Sequence, residues 1–125
     1  MLHYFHVGLR VTSGQSYCRV GANNCVTDGA GNYGNREACT VEVLGAGTLT
    51  ATEFSTDSCC DFVEIALVEI AIENANYYSR VRYRGTTGPR NVAVAAGSTM
   101  RWHSDYSVVR AGWTICWTAG QCRSS

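Results

Sequence analysis

The sequence lacks the charge excess and the long apolar runs that would point to several common classes of protein. Ten basic residues, all of them arginine, balance ten acidic residues, so the formal net charge is zero. A neutral chain gives no electrostatic reason to bind nucleic acid or an anionic membrane. The longest apolar stretch, residues 62–72, is broken by Glu64 and Glu69. It is too short and too charged to span a bilayer, so no membrane span is expected.

Signals for export and for catalysis are also missing. Residues 1–16 contain no apolar run of the length that a secretory signal requires, so we expect the numbering to begin after processing or the chain to be a fragment. There is no G-x-S-x-G, H-E-x-x-H or P-loop motif. A cysteine nucleophile with His103 as its base is conceivable, but most of the thiols should be oxidised. An enzyme is therefore the least expected class, and no catalytic residue is predicted.

Cysteine is the most informative residue that is present, with seven copies in 125 residues. The seven are Cys18, Cys25, Cys39, Cys59, Cys60, Cys116 and Cys122. No two are separated by two residues, and the three histidines do not cluster with them, which argues against a zinc site. A disulfide framework in a secreted, extracellular protein fits better. Because seven is odd, one thiol is expected to be free or bonded to another chain.

The residue pattern predicts a single all-β domain. The length is that of one domain, and an apolar fraction of 46% is ordinary for a globular protein. Apolar and polar residues alternate in short runs between glycine-containing turns, as at 40–44, 99–103 and 113–117. Many short strands at close spacing are typical of a sandwich or a barrel.

Residues 62–73 do not alternate, because they are apolar at nearly every position. A helix and a strand buried on both faces both explain this pattern, and the valine and isoleucine content favours the strand. Residues 62–72 could be covered by a neighbouring chain, or they could form an ordinary central strand. In the next run, alternate residues share a face, and one face carries Tyr78, Arg80, Arg82 and Arg84. The three arginines could pair with Glu64, Glu69 and Glu73.

Four pieces of sequence occur in a recognisable order. They are NYGNREAC (32–39), FSTDSCCDFVEI (54–65), RGTTGP (84–89) and WHSDYSVVRAGWTIC (102–116). Together they resemble the CUB family over about residues 18–117. The resemblance implies a two-sheet antiparallel, jelly-roll-like sandwich at 18–122 after an N-terminal extension at 1–17, with Trp102 and Trp113 in its core. The chain departs from the family in TDGAGNYG (27–34), which lacks the usual prolines, and in an insertion around 66–78 that we expect to form an extended hairpin or a protruding loop.

Calcium-binding members of that family imply a metal site in this chain. The ligands would be Asp57, Asp61 and Asp105, with a backbone carbonyl from Tyr106 or Ser107. Calcium is a hard cation that takes about six to eight oxygen ligands, and three carboxylates with a carbonyl and waters would suffice. The alternative is that these aspartates only stabilise turns, where aspartate is common.

The same resemblance implies part of the disulfide pairing. Cys39 would be bonded to Cys18 or Cys25. Cys116 would be bonded to Cys59 or Cys60. Those two neighbours are not expected to bond each other, since the geometry of such a bond is strained.

The function that the resemblance implies is non-catalytic binding of an extracellular protein or glycoprotein, with calcium ordering the loops that make the contact. One alternative is a structural subunit of an extracellular matrix or fibre, self-assembling through residues 62–72 or through an unpaired cysteine. A weaker alternative is a lectin-like carbohydrate binder, because Trp117 could belong to a sugar-binding face.

Overall fold

The structure is a computed structural model that describes residues 8–70 and 76–120, with the backbone alone at 69, 70 and 76–78. Cys122, Glu73 and residues 1–7 of the predicted N-terminal extension lie outside the described residues. All described regular structure is β-strand, which confirms the all-β prediction. No helix long and apolar enough to cross a membrane was found among the described residues.

In the described part of the chain, ten strands form two sheets that pack face to face. The strands are β1 (Leu9–Ser13), β2 (Arg19–Val20), β3 (Cys25–Thr27), β4 (Ala38–Val43), β5 (Gly47–Ser55), β6 (Phe62–Ile70), β7 (Asn76–Tyr83), β8 (Val92–Val94), β9 (Thr99–His103) and β10 (Gly112–Ala119). The first sheet has the order β1-β4-β9-β6-β7 and the second has the order β2-β3-β10-β5-β8. All pairings are antiparallel, so the predicted two-sheet sandwich is confirmed.

The core lies between the two sheets and is built from the alternating positions of their strands. Trp102 on β9 and Trp113 on β10 are both buried, and their ring centroids are 5.8 Å apart in an edge contact across the sheets. Val41 and Val43 of β4 are fully buried on the same inner face as Trp102. The core positions predicted for Trp102 and Trp113 are therefore confirmed, and Trp117 is buried as well.

Most of the unusually apolar segment 62–72 belongs to strand β6. This strand is an inner strand of the first sheet, because it lies between β9 and β7. Val63 faces the core beside Trp102, while Phe62, Glu64 and Ala66 are buried on the opposite face of the sheet. A strand that is covered on both faces needs apolar residues at consecutive positions. The strand prediction is thus confirmed, and residues 62–66 need no second chain to cover them.

Strands β6 and β7 pair as a long antiparallel ribbon. The register runs without interruption from Val63 opposite Tyr83 to Ile70 opposite Asn76, as expected for an extended hairpin, and residues 71–75 lie outside the described part. The Arg82 Nε donates a hydrogen bond of 2.9 Å to Glu64, which confirms one of the predicted ion pairs. The other two predicted partners, Glu69 and Glu73, have no described side chains.

The disulfides agree only partly with the prediction. Cys18 is bonded to Cys39, as expected, but Cys116 is bonded to Cys25 and not to Cys59 or Cys60. The two neighbours Cys59 and Cys60 are bonded to each other. The second pairing was wrong because β10 lies beside β3, where Cys116 is directly opposite Cys25, with their Cα atoms 3.9 Å apart.

Asp28 connects the end of β3 to the start of β10. Its Oδ1 accepts a hydrogen bond of 2.8 Å from the Trp113 amide, while its buried Oδ2 has no hydrogen-bond partner among the described residues. Gly112 permits this contact, because it has a φ of +98° and because a Cβ atom there would overlap the carboxylate. Burial raises the pKa of Asp28 to about 6.

This carboxyl group should make stability depend on pH. The folded protein holds the Asp28 proton more tightly than the unfolded chain, so its stabilising effect is complete below the ordinary value of 3.8 and is lost as the pH rises through about 6. Because the side chain is partly exposed, we expect the loss to be about 1–2 kcal/mol. Urea unfolding of the wild type and of Asp28→Asn between pH 4 and pH 7 tests this. The two curves should diverge steadily, and a constant difference across that range would contradict the assignment.

Candidate metal centre

The predicted ligands meet at one end of the sandwich because of the strand order. Asp57 and Asp61 lie in the loop between β5 and β6, and Asp105 follows β9. Phe62 at the start of β6 is directly opposite His103 at the end of β9. The residues that precede Phe62 and those that follow His103 are therefore neighbours at the same edge.

We call the end of the sandwich that carries Asp57, Asp61 and Asp105 the acidic edge. Asp61 is its buried centre. Its side chain is 0% exposed, and both of its carboxylate oxygens accept hydrogen bonds. The Tyr33 hydroxyl donates to Oδ2 at 2.6 Å, and the Asp105 amide donates to Oδ1 at 2.8 Å. One carboxylate thus fixes the position of the Asp105 loop relative to Tyr33.

Tyr33 extends the network to the third aspartate. Its hydroxyl oxygen accepts a hydrogen bond of 2.9 Å from the Asp57 amide while it donates to Asp61. Its ring packs edge-on against Trp102, with centroids 4.8 Å apart. Burial raises the pKa of Tyr33, and the hydrogen bond to Asp61 adds to this effect, so the hydroxyl stays protonated and can act as a donor. Tyr33 therefore connects the loop of Asp57 and Asp61 to the core.

The carboxylates of this edge lack a positive partner in the described structure. Burial raises the pKa of Asp61, and the nearby charge of Asp105 raises it further, against the lowering effect of its two hydrogen bonds. Among residues 8–70 and 76–120, all ion pairs within 4.0 Å involve Glu42 or Glu64, not these aspartates. A bound cation would relieve this unfavourable accumulation of negative charge.

The atoms that could contact such a cation come from three residues. One carboxylate oxygen of Asp57, one of Asp105 and the Sγ of Cys60 lie within 4.8 Å of one another, and all three residues are partly exposed. Cys60 is bonded to Cys59, so its sulfur is not a thiolate and is a weak ligand. The two carboxylates are the ligands that matter, and hard oxygen donors suit calcium better than zinc.

The structure gives less direct support for Asp61, Tyr106 and Ser107 as ligands than for Asp57 and Asp105. Asp61 is not one of the three convergent residues, although each of its oxygens retains a lone pair after accepting one hydrogen bond. The Ser107 amide donates to Asp105 Oδ1 at 3.1 Å, which closes a turn through Tyr106, and the Tyr106 side chain is largely exposed. The carbonyl groups of Tyr106 and Ser107 therefore belong to the same loop as the Asp105 carboxylate. The donor set is chemically suited to calcium if waters complete the shell.

Tyr33 is the residue of this network to which sequence reasoning gave no role. It lies within NYGNREAC (32–39), a piece that the resemblance to the CUB family already marks. A tyrosine in a polar turn before a core strand was the available signal. Its hydrogen bonds to Asp57 and Asp61 in the distant loop between β5 and β6 depend on the tertiary structure and could not be read from local spacing.

Two other features of the described structure bear on possible chemistry, and neither involves the predicted metal ligands. His103 stacks on Phe62 with centroids 5.2 Å apart, and the six cysteines in the described part of the chain are all disulfide-bonded, so none offers a thiol to His103. A groove of about 560 Å³ lies between residues 15–19 and 27–30, away from Asp57 and Asp105. It includes Asp28 but none of the predicted metal ligands.

Comparisons with known proteins identify no relative. A scan against the models of known protein families found no match, and neither did a search of the curated proteins.

Proposed function

We propose that the chain is a non-catalytic extracellular recognition module in which calcium orders the loops that contact a partner protein or glycoprotein. The observation that carries this proposal is the arrangement of Asp57, Asp61 and Asp105 at one edge of the sandwich. The buried Asp61 holds the Asp105 loop by a hydrogen bond, and Asp57 and Asp105 present carboxylate oxygens close together.

Three further features support the proposal. The Cys18–Cys39 and Cys25–Cys116 disulfides are of the kind that persists in oxidising compartments, as in a secreted protein. The order of sequence pieces resembles the CUB family, in whose calcium-binding members the ion organises loops that receive a basic side chain of the partner. The acidic edge of this chain has the charge needed to receive such a side chain.

Calcium binding is the first expected result. In isothermal titration at neutral pH we expect a Kd in the range of extracellular calcium modules, about 10⁻⁴–10⁻³ M. Calcium at about one hundred times the Kd should then stabilise the fold by about 2.7 kcal/mol, because the ion binds only the folded chain. Asp105→Asn should weaken binding at least about tenfold.

A matched control is available within the chain. Asp28→Asn also removes one partly buried carboxylate, but it lies outside the three convergent residues and should leave the calcium affinity unchanged. No heat of binding in the wild type, together with a melting temperature that a chelator does not alter, would refute the calcium site. Equal losses in Asp105→Asn and Asp28→Asn would show a diffuse charge effect instead.

The self-assembling structural subunit remains the second candidate, and one observation favours it. Strand β7 is at the edge of the first sheet, and Val81 on it is 43% exposed on the face that otherwise packs inward. An exposed edge with an apolar side chain can pair with another chain. Analytical ultracentrifugation distinguishes the two, because a recognition module stays monomeric at micromolar concentration.

A further inference from the structure

The outer face of the first sheet carries a cluster of basic side chains that has no role in the proposed calcium site. We call it the arginine face, and it consists of Arg80, Arg82, Arg84, Arg101 and His103. The strand pairing places these residues together, because β7 and β9 flank β6 on either side. All five side chains are exposed to solvent.

Phe62 lies at the centre of the arginine face and is covered by it. The Arg82 guanidinium is 4.1 Å from the Phe62 ring centroid, the Arg84 guanidinium is 5.9 Å away, and the His103 ring stacks at 5.2 Å. Phe62 is only 8% exposed as a result. Stacking on an aromatic ring holds a guanidinium in a fixed orientation. The Arg82 Nε donates to Glu64 and the Arg84 Nη1 donates to the Cys59 carbonyl, and the other N–H groups of both guanidiniums remain available.

The charge of this face is only partly neutralised. Glu64 is the one acidic side chain described among these residues, and it pairs with Arg82 at 2.9 Å and with Arg101 at 3.7 Å. Hydrogen bonding from Arg82 lowers the pKa of Glu64, so the carboxylate stays ionised. Four arginines and one glutamate leave a net charge of +3 on a chain whose total charge is zero. Arg80 and Arg84 have no carboxylate within 4.0 Å among the described residues.

We propose that the arginine face binds a sulfated acidic polysaccharide. Arg80, Arg82 and Arg84 follow one another along β7 and just past its end at about 7 Å, and Arg101 lies across β6 at about 10 Å from them, which gives a two-dimensional array of bidentate anion donors. A repeating polyanion offers sulfates and carboxylates to several of them at once. A protein partner is less suited, because interface centres rely on apolar anchors, and the apolar groups here, Phe62 and Ala66, are already covered.

This inference does not depend on calcium binding, although the arginine face borders the acidic edge, where the Arg84 Nη1 donates a hydrogen bond of 3.0 Å to the Cys59 carbonyl in the loop of Asp57 and Asp61. The probes are heparin, unsulfated dextran and duplex DNA of similar charge, measured by surface plasmon resonance at 0.15 M salt, where the Debye length is about 8 Å. Heparin should bind, and dextran should not. Replacing both Arg80 and Arg84 with glutamine should weaken heparin binding at least about tenfold. These two are chosen because Arg82 and Arg101 also pair with Glu64.

The matched control is Arg19→Gln with Arg90→Gln, which removes the same charge from exposed positions outside the arginine face. It should change heparin affinity less than about twofold. A gain-of-charge variant covers the case in which the double replacement unfolds: Ala38 is exposed on the same face opposite His103, and Ala38→Arg should tighten binding. Equal losses in the two double variants, an unchanged affinity in Ala38→Arg, or DNA binding as tight as heparin binding would overturn the proposal.

Discussion

Replacing both Cys25 and Cys116 with serine is expected to lower the free energy of unfolding by about 3–5 kcal/mol. This disulfide joins residues separated by 91 positions, and it connects β3 to the central strand β10 of the second sheet. Closing so long a loop restricts the unfolded chain more than a short loop does. Urea unfolding monitored by tryptophan fluorescence measures the change.

The other two disulfides supply graded controls. Cys18–Cys39 closes a separation of 21, so its removal should cost less, and Cys59–Cys60 closes a separation of 1 and should contribute little through loop closure. The expected order of the losses, from largest to smallest, is Cys25–Cys116, then Cys18–Cys39, then Cys59–Cys60. A larger loss from the vicinal pair than from Cys25–Cys116 would contradict it.

Replacing Asp61 with alanine is expected to cost about 3 kcal/mol, because it leaves two buried donors without an acceptor. These donors are the Tyr33 hydroxyl and the Asp105 amide. Asp61→Asn retains an acceptor for the Asp105 amide and removes the buried charge, whose cost is reflected in the raised pKa of Asp61. It should therefore be much less destabilising than Asp61→Ala at neutral pH.

Thermal unfolding in the presence of a chelator separates these contributions from any effect of calcium. Tyr33→Phe should cost about 1–2 kcal/mol, since it removes the acceptor of the Asp57 amide and one donor to Asp61. If Asp61→Ala and Asp61→Asn are equally stable, the hydrogen bonds at Asp61 do not hold this edge together, and the central role given to it is wrong.

The fold could be predicted to a useful degree because its strands carry local signals. Met100 and Trp102 alternate with exposed Arg101, and this alternation alone places the two apolar side chains on the inner face. Where one face is buried, the two-residue period fixes which residues point inward. The segment at 62–66 gave no such signal, because long arginine side chains on one face and the core on the other cover it from both sides.

The disulfide pairing could not be predicted in full because it depends on which distant strands become neighbours. Cys25 and Cys116 are bonded because β3 and β10 are adjacent and in register, and nothing in either strand specifies this locally. The convergence of the aspartates at the acidic edge likewise depends on which distant strands become neighbours. Asp57 and Asp105 approach each other through the pairing of β6 with β9, and the sequence indicated this only through the order of the motifs.

A calcium titration of the ¹⁵N-labelled chain, followed by amide NMR spectra, shows directly whether calcium binds at the acidic edge. We expect saturable shifts for the amides of Asp57, Asp61 and Asp105 and of the residues between Asp105 and Ser107, with β1 and β8 unaffected. Magnesium at the same concentration should give smaller shifts, because it demands a stricter geometry and gives up its waters reluctantly. Unchanged amide positions at this edge, or shifts spread over acidic residues elsewhere, would contradict a calcium-ordered binding edge.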